Sequence, residues 1–306
     1  MKIGHGMWNA LIKDLIIFNG SKGGNLMSNC DSCPSKGKCG EKEEACSKVI
    51  PKYGNIKHMI GVISGKGGVG KSTVTGILAT KLKKAGYKVG VLDADITGPS
   101  MPRFFGINEE RSYAMEGRTG EEVKFLPVET SSGIKVMSLN LLTEHEEEPV
   151  IWRGPVVTGV LTQMYTDTDW DELDYLLIDM PPGTGDVALT IMQSIPVEGM
   201  VVVSTAQDMV SMIVKKVIIM AEKLNINVLG VVENMSYVKC SCGEKINLFS
   251  KKTAKEQAEY LQVPLIAELP VNLDLTDNME KGTVEDYIAN CKEYEDLLKG
   301  FMNEIK

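Results

Sequence analysis

The chain has 306 residues, 43% of them hydrophobic, and a formal net charge of −8. That length suits one large α/β domain or two small ones, and the apolar share excludes a disordered chain. The acidic balance argues against nucleic acid as a partner, because phosphate backbones select basic faces.

Residues 1–26 read as a leader unlike the rest. Their most apolar stretch, MWNALIKDLIIF at 7–18, is too short to span a bilayer and carries Lys13 and Asp14 in its middle. No small-residue cleavage site follows it, which argues against a secretory signal. A cytoplasmic chain with no membrane partner is therefore expected. The segment SKGGNLM can be encoded with a purine-rich ribosome-binding sequence just ahead of the Met27 codon, so Met27 is the expected native start. An amphipathic leader helix is the alternative.

Residues 27–55 are polar and rich in Lys, Gly, Ser and Cys, and read as a tail that orders only around a metal. Cys30, Cys33, Cys39 and Cys46 cluster there. In a reducing compartment such clustering indicates metal or redox chemistry before disulfides. Thiolates are soft ligands, and this spacing leaves zinc and iron–sulfur both open.

From about Ile56 short apolar runs alternate with helical stretches. HMIGVIS (58–64) leads to a helix from Lys71. YKVGVLDAD (87–95), DYLLIDM (174–180), GMVVVSTA (199–206) and NVLGVVENM (227–235) follow, with a helix over 208–224. These runs are apolar throughout rather than alternating, which predicts a mostly parallel sheet with helices on both faces. Residues 123–139 read as two strands around a turn at Ser132-Gly133. At the end, Tyr294, Leu297, Leu298, Phe301, Met302 and Ile305 share one helical face, opposite a face of mixed charge. A membrane-surface helix would be basic there, so docking on the core is expected.

Gly65 to Ser72 fit G-x-x-x-x-G-K-S between a strand and a helix. Gly65, Lys66, Gly67, Gly68, Val69, Gly70, Lys71, Ser72 and Thr73 are the expected nucleotide cradle. Glycines let backbone N–H groups turn in around phosphate oxygens, and the helix N-terminus adds its positive end. Lys71 would supply charge to the outer phosphates, and Ser72 would ligate Mg²⁺. Asp179 ends a buried strand, placed to hold Mg²⁺ directly or through its water, and Gly183 follows in a loop able to offer an N–H to a γ-phosphate. Asp93 and Asp95 lie at another strand's carboxyl end, where open α/β sheets put their ligands. One would position the attacking water and the other support the metal; Asp95 is the choice for the water.

GKGGVGKST resembles the deviant Walker A loop of the MinD/ParA/nitrogenase-iron-protein class. DADITGPSMPR, WRGP (152–155), LDYLLIDMPPGTGD and GVVENMS (230–236) are similar to its Mrp/ApbC branch, the ATP-dependent iron–sulfur cluster carriers. The resemblance covers about residues 56–275 and reads 56–306 as one P-loop ATPase domain. It implies a homodimer in which Lys66 reaches the partner's phosphates, each copy lending the same residue. It also implies that Asn234 reads adenine, selecting ATP, and that the cargo is a labile 4Fe–4S cluster. The partners would be apo iron–sulfur proteins and a cluster-assembly scaffold.

The resemblance favours iron–sulfur at the amino-terminal cysteines. CDSCPSKGKC is similar to the cluster motif of the eukaryotic branch, but Ile16 stands where that motif has a further upstream cysteine. The family's C-x-x-C after ENMS is here Cys240-Ser241-Cys242. In the family that pair meets its copy on a second subunit to bridge one cluster. An extended segment would place two such thiols on one side, nearly 7 Å apart at Cα, still within reach of one cluster. A structural or exposed cysteine pair is the alternative; Cys291 reads as a buried thiol. Trp152 and Arg153 match the family without a physical role to give them. Competing functions are a MinD/ParA-type positioning ATPase, a zinc-binding nucleotide sensor and a nitrogenase-type reductase.

Overall fold

The structure is a computed structural model that describes residues 48–96, 98–116, 123–143, 154–206, 208–240, 242, 244–248 and 253–305. The expected start at Met27 and the cysteines at 30, 33, 39 and 46 lie outside these residues, as do Trp152 and Arg153.

In chain order the elements are β1 (Tyr53–Ser64), α1 (Lys71–Lys84), β2 (Val89–Asp93), α2 (Met101–Phe104), β3 (Tyr113–Glu116), β4 (Val123–Leu126), β5 (Val128–Glu129), β6 (Lys135–Met137), α3 (Gly154–Thr166), β7 (Asp169–Asp179), α4 (Asp186–Ser194), β8 (Gly199–Ser204), α5 (Asp208–Lys223), β9 (Asn227–Lys239), β10 (Lys245–Asn247), α6 (Ala254–Leu261), β11 (Leu265–Pro270), α7 (Leu273–Glu280), α8 (Val284–Asn290) and α9 (Glu295–Glu304). The main sheet runs β10-β9-β8-β1-β7-β2-β6-β5, with β11 also paired to β9. Its interior pairs are parallel; β5–β6 and β9–β10 are antiparallel.

The apolar runs are continuous because this sheet is covered on both sides. Successive residues of β7 serve opposite faces: Leu176 and Ile178 pack towards α3, α4 and α5, while Leu177 joins Ile77 of α1, Ile288 of α8 and Phe301 of α9. Each such side chain contributes roughly 1.5–3 kcal/mol of burial. The last helix docks on the core as its pattern predicts, with Tyr294, Leu297 and Phe301 buried. Lys81 of α1 is buried beneath it and donates to the Cys291 carbonyl at 2.7 Å and to Glu295 Oε1 at 2.8 Å.

Three differences from the sequence reading matter. The domain extends upstream of Ile56: β1 starts at Tyr53, which is buried, and the Val49 N–H donates to the Ser194 carbonyl. Residues 123–139 form three short strands, not two; β4 leaves the main sheet to pair with β3. Strand β9 continues well past its apolar run to Lys239, so the sheet reaches the cysteine pair.

Candidate active site

β1, β7 and β2 lie side by side in parallel register, with Val62 opposite Asp179 and Asp179 opposite Asp93. Their carboxyl ends therefore open on one crevice, and the loop 65–70 that leaves β1 crosses it. Gly68 and Gly70 hold φ of 78° and 79°, the left-handed region that lets the chain fold back on itself. Gly70 admits no side chain for a second reason: a Cβ there would lie 2.2 Å from Asn234 Nδ2.

Gly70 is also the N-cap of α1. No side chain caps that end, and no acidic residue occupies its first turn. The first-turn N–H groups and the positive end of the helix dipole thus carry no acidic side chain from the helix itself. Such an end is a phosphate site.

The Lys71 side chain is largely buried and points into the acids. Its Nζ lies 2.7 Å from Asp179 Oδ2 and 3.6 Å from Asp95 Oδ2. Ser72 Oγ donates to Asp179 Oδ2 at 2.5 Å. The other oxygen of Asp179 lies 2.9 Å from Thr75 Oγ1, which shares its one proton between that oxygen and the Lys71 carbonyl at 3.0 Å. Sequence reasoning missed Thr75; its position three residues beyond Ser72 on the buried side of α1 was the available signal.

The two acids of DAD differ sharply. Asp95 keeps its carboxylate at the crevice wall, with 14% of the side chain exposed. Asp93 is buried and serves the loop behind: Oδ2 accepts from the N–H of Ser100 and Met101 and from Ser138 Oγ at 3.1–3.2 Å, while Oδ1 accepts from the Asp95 N–H at 3.3 Å. Burial first, and then the charge of Asp179, push its carboxyl up to about 7. Asp93 therefore shapes the loop that presents Asp95. Ser138, at the end of β6, was likewise missed.

Two expected roles meet a different local geometry. The Gly183 N–H, read as available to a γ-phosphate, donates instead to the Ser64 carbonyl at 2.7 Å. Ser64 Oγ in turn donates to the carbonyl of Lys66, which is half-buried in the loop. Asn234, read as the adenine contact, gives its amide to the Val69 carbonyl at 3.0 Å and is buried against the loop.

Cys240 and Cys242 occupy the turn between β9 and β10, not an extended segment. The Cys240 N–H donates to the Glu244 carbonyl, and the Cys242 N–H points at Cys240 Sγ at 3.5 Å. Cys242 is exposed and Cys240 partly so. Cys291, read as buried, is half-buried at the end of α8. Among the described residues no group of three or more His, Cys, Asp and Glu side chains stands ready for a metal ion.

A glycine loop folded on an uncapped helix, its lysine among strand-end acids and a hydroxyl beside Asp179 define a P-loop nucleoside triphosphatase. Residues 55–306 match the ParA family described as "NUBPL iron-transfer P-loop NTPase", and the chain belongs to that family. It is 62% identical over 283 residues to the iron-sulfur cluster carrier protein of Clostridium perfringens, covering 90% of this chain and 99% of that one. The iron-sulfur cluster carrier protein of Methanocaldococcus jannaschii is 42% identical over 276 residues, covering 88% and 93%. Among solved structures, a nucleotide-binding protein of Archaeoglobus fulgidus in complex with ADP matches with a TM-score of 0.67 and 41% identity, over 78% of this chain and 90% of that one. The cell division ATPase MinD of Pyrococcus furiosus shares the fold, with a TM-score of 0.54 at 20% identity over 81% of this chain and 98% of that one. No helix among the described residues is long and apolar enough to cross a membrane.

Proposed function

We propose that this chain is an ATP-hydrolysing carrier that binds a labile 4Fe–4S cluster as its cargo. It takes the cluster from an assembly scaffold and passes it to apo-proteins, working as a homodimer. One observation carries the reading: strand β9 bears Asn234, which touches the phosphate loop, and ends in the turn that bears the paired thiols of Cys240 and Cys242. Nucleotide and cargo sites are thus held on one piece of backbone.

The chemistry follows from the side chains. Backbone N–H groups of 65–73 hold the phosphates, and Lys71 turns from Asp179 towards them as they arrive. The residues beside it suit Mg²⁺, since Ser72 and Asp179 present a hydroxyl and a carboxylate, the hard oxygen donors this ion prefers. These two would hold the ion, which supplies charge neutralisation for the phosphates. Asp95, at the crevice wall, orients the water that attacks the γ-phosphorus; the bond to the ADP oxygen breaks and phosphate leaves. Lys66 lends its charge to the nucleotide of a second subunit, an isologous exchange that favours a two-fold pair. Gly183 exchanges its bond to Ser64 for one to the γ-phosphate, which orders the loop after β7 in the triphosphate state only.

Two thiols supply half the ligands of a four-thiolate cluster, so two copies of the turn complete one site. The cysteines at 30, 33, 39 and 46 are a second place for iron–sulfur or zinc. The test is iron and sulfide analysis after anaerobic reconstitution, with and without ATP, followed by transfer to an apo-protein. Iron and sulfide bound to a dimer, and handed on in an ATP-dependent way, are expected. A colourless protein with stoichiometric zinc would overturn the reading.

A further inference from the structure

β9 does not run straight from the nucleotide loop to the cysteines. In its pairing with β11, Glu233 lies opposite Glu268 and Tyr237 opposite Pro270. Four residue steps of β9 thus span the length of two in β11, so β9 carries a two-residue bulge at 234–236. Within it Met235 holds φ of 52°, a left-handed conformation that an unbranched apolar residue rarely adopts. Bulges re-aim side chains, and backbone outliers of this kind collect at switch regions. Here the bulge turns Asn234 onto the Val69 carbonyl of the phosphate loop.

The other side of the bulge is pinned. Ser236 Oγ lies 2.7 Å from Glu233 Oε1 and 2.7 Å from Glu268 Oε1. The one hydroxyl proton is shared between the two carboxyls, so Ser236 bridges β9 to β11. Glu233 is buried, which raises its carboxyl above the usual range, whereas Glu268 has the Lys245 ammonium at 3.2 Å. Lys245 also sits over the Tyr237 ring, 4.0 Å from its centroid. Lys245 begins β10, the return leg of the cysteine turn. Both legs of that turn are therefore tied to the bulge: one by the backbone after Ser236, the other through Lys245 and Glu268.

We propose that the Asn234–Met235–Ser236 bulge is a coupling joint, with Ser236 as a positioning residue, through which occupancy of the phosphate loop sets the geometry and exposure of Cys240 and Cys242. When nucleotide shifts the loop, the Val69 carbonyl moves Asn234. The bulge rotates about Met235, and the Ser236–Glu268–Lys245 tie carries both legs of the turn with it. The proposal rests on the carrier reading for its purpose, but its test does not require bound iron.

The test uses full-length, reduced, cluster-free protein under anaerobic conditions. Alkylation rates of Cys240 and Cys242 are resolved by peptide mass spectrometry, with and without saturating non-hydrolysable ATP analogue and Mg²⁺, and Cys291 serves as the internal reference. The wild-type rates should change about fivefold or more on nucleotide binding, the lower range of ordinary site-to-site coupling. Ser236→Ala should bring that ratio to about one while still binding the analogue, and Ser236→Thr, which keeps the hydroxyl, should restore it. Met235→Gly, which accepts the left-handed backbone without the side chain's resistance, should weaken the ratio in a chain that keeps its fold. A wild-type ratio in Ser236→Ala or Met235→Gly, or wild-type protein that binds nucleotide with unchanged thiol rates, would overturn the joint. Absence of iron and sulfide after reconstitution would instead count against the carrier reading alone.

Discussion

Lys71 Nζ sits 2.7 Å from Asp179 Oδ2, and both side chains are almost wholly buried. The loop lysine and the strand-end acid thus neutralise each other until an anion arrives. Removing the lysine has two consequences. The arriving phosphates lose their cation, and Asp179 loses its countercharge, keeping only the hydroxyls of Ser72 and Thr75. Lys71→Ala is expected to abolish ATP-dependent cluster transfer and to lower the stability of the nucleotide-free protein by about 3 kcal/mol, the usual cost of breaking a buried pair. Urea unfolding and a transfer assay check the two halves separately. Full transfer by the variant would remove the nucleotide from the mechanism.

Lys66 makes the opposite prediction. It lies in the same loop but, in the proposed homodimer, serves the nucleotide of a second copy. If Lys66 serves the proposed partner, Lys66→Ala should leave the affinity of a single subunit for nucleotide within a few-fold while abolishing nucleotide-dependent dimerisation, because the charge it removes would act across the two-fold axis. Sedimentation velocity with and without the non-hydrolysable analogue reads this directly. A variant that still dimerises on nucleotide would return Lys66 to the role of a solvated loop residue.

Much of this architecture is legible in the sequence, for identifiable reasons. Val201, Val202 and Val203 are apolar in succession because helices cover both faces of β8, and that pattern admits few folds. The spacing from Gly65 to Ser72 is legible because loop, lysine and hydroxyl must meet one phosphate chain. What escaped was the wiring. Thr75 and Ser138 are common residue types whose partners, Asp179 and Asp93, are fixed by the meeting of separate strands and helices. The bulge at Met235 carries no local signal, since methionine has no preference for a left-handed backbone. Cys240 and Cys242 looked extended because the turn between β9 and β10 is set by pairing beyond them, at Tyr237–Lys239 with Lys245–Asn247.

The cysteine pair separates the two candidate cargo sites. Cys242 is exposed at the turn, so its removal should be nearly neutral for folding. Cys242→Ala is expected to leave nucleotide binding intact while stripping most of the iron from the reconstituted dimer. Iron and sulfide per subunit are the measurement. Unchanged iron content would place the cargo on Cys30, Cys33, Cys39 and Cys46 instead.

Asp93 predicts a pH signature for the folded chain. Its carboxyl is pushed up to about 7, by burial first and by the Asp179 charge second. In the unfolded chain the same group titrates near its ordinary value of about 4. Between those values the folded chain holds a proton that the unfolded chain has released. The contribution to stability is therefore fully present below about pH 4 and is lost as pH rises towards 7, by up to about 4 kcal/mol. Asp93→Asn keeps the shape and stays neutral throughout. It forfeits some of the N–H bonds from Ser100 and Met101, a cost that does not vary with pH. The stability of the variant relative to wild type should accordingly rise across the window from pH 4 to 7 and level off above it, as read from urea midpoints in nucleotide-free protein. Glu233, whose carboxyl burial also raises, is common to both proteins and cancels in the comparison. A constant difference at every pH would mean that Asp93 is ionised from the start, and that its four hydrogen bonds outweigh its burial.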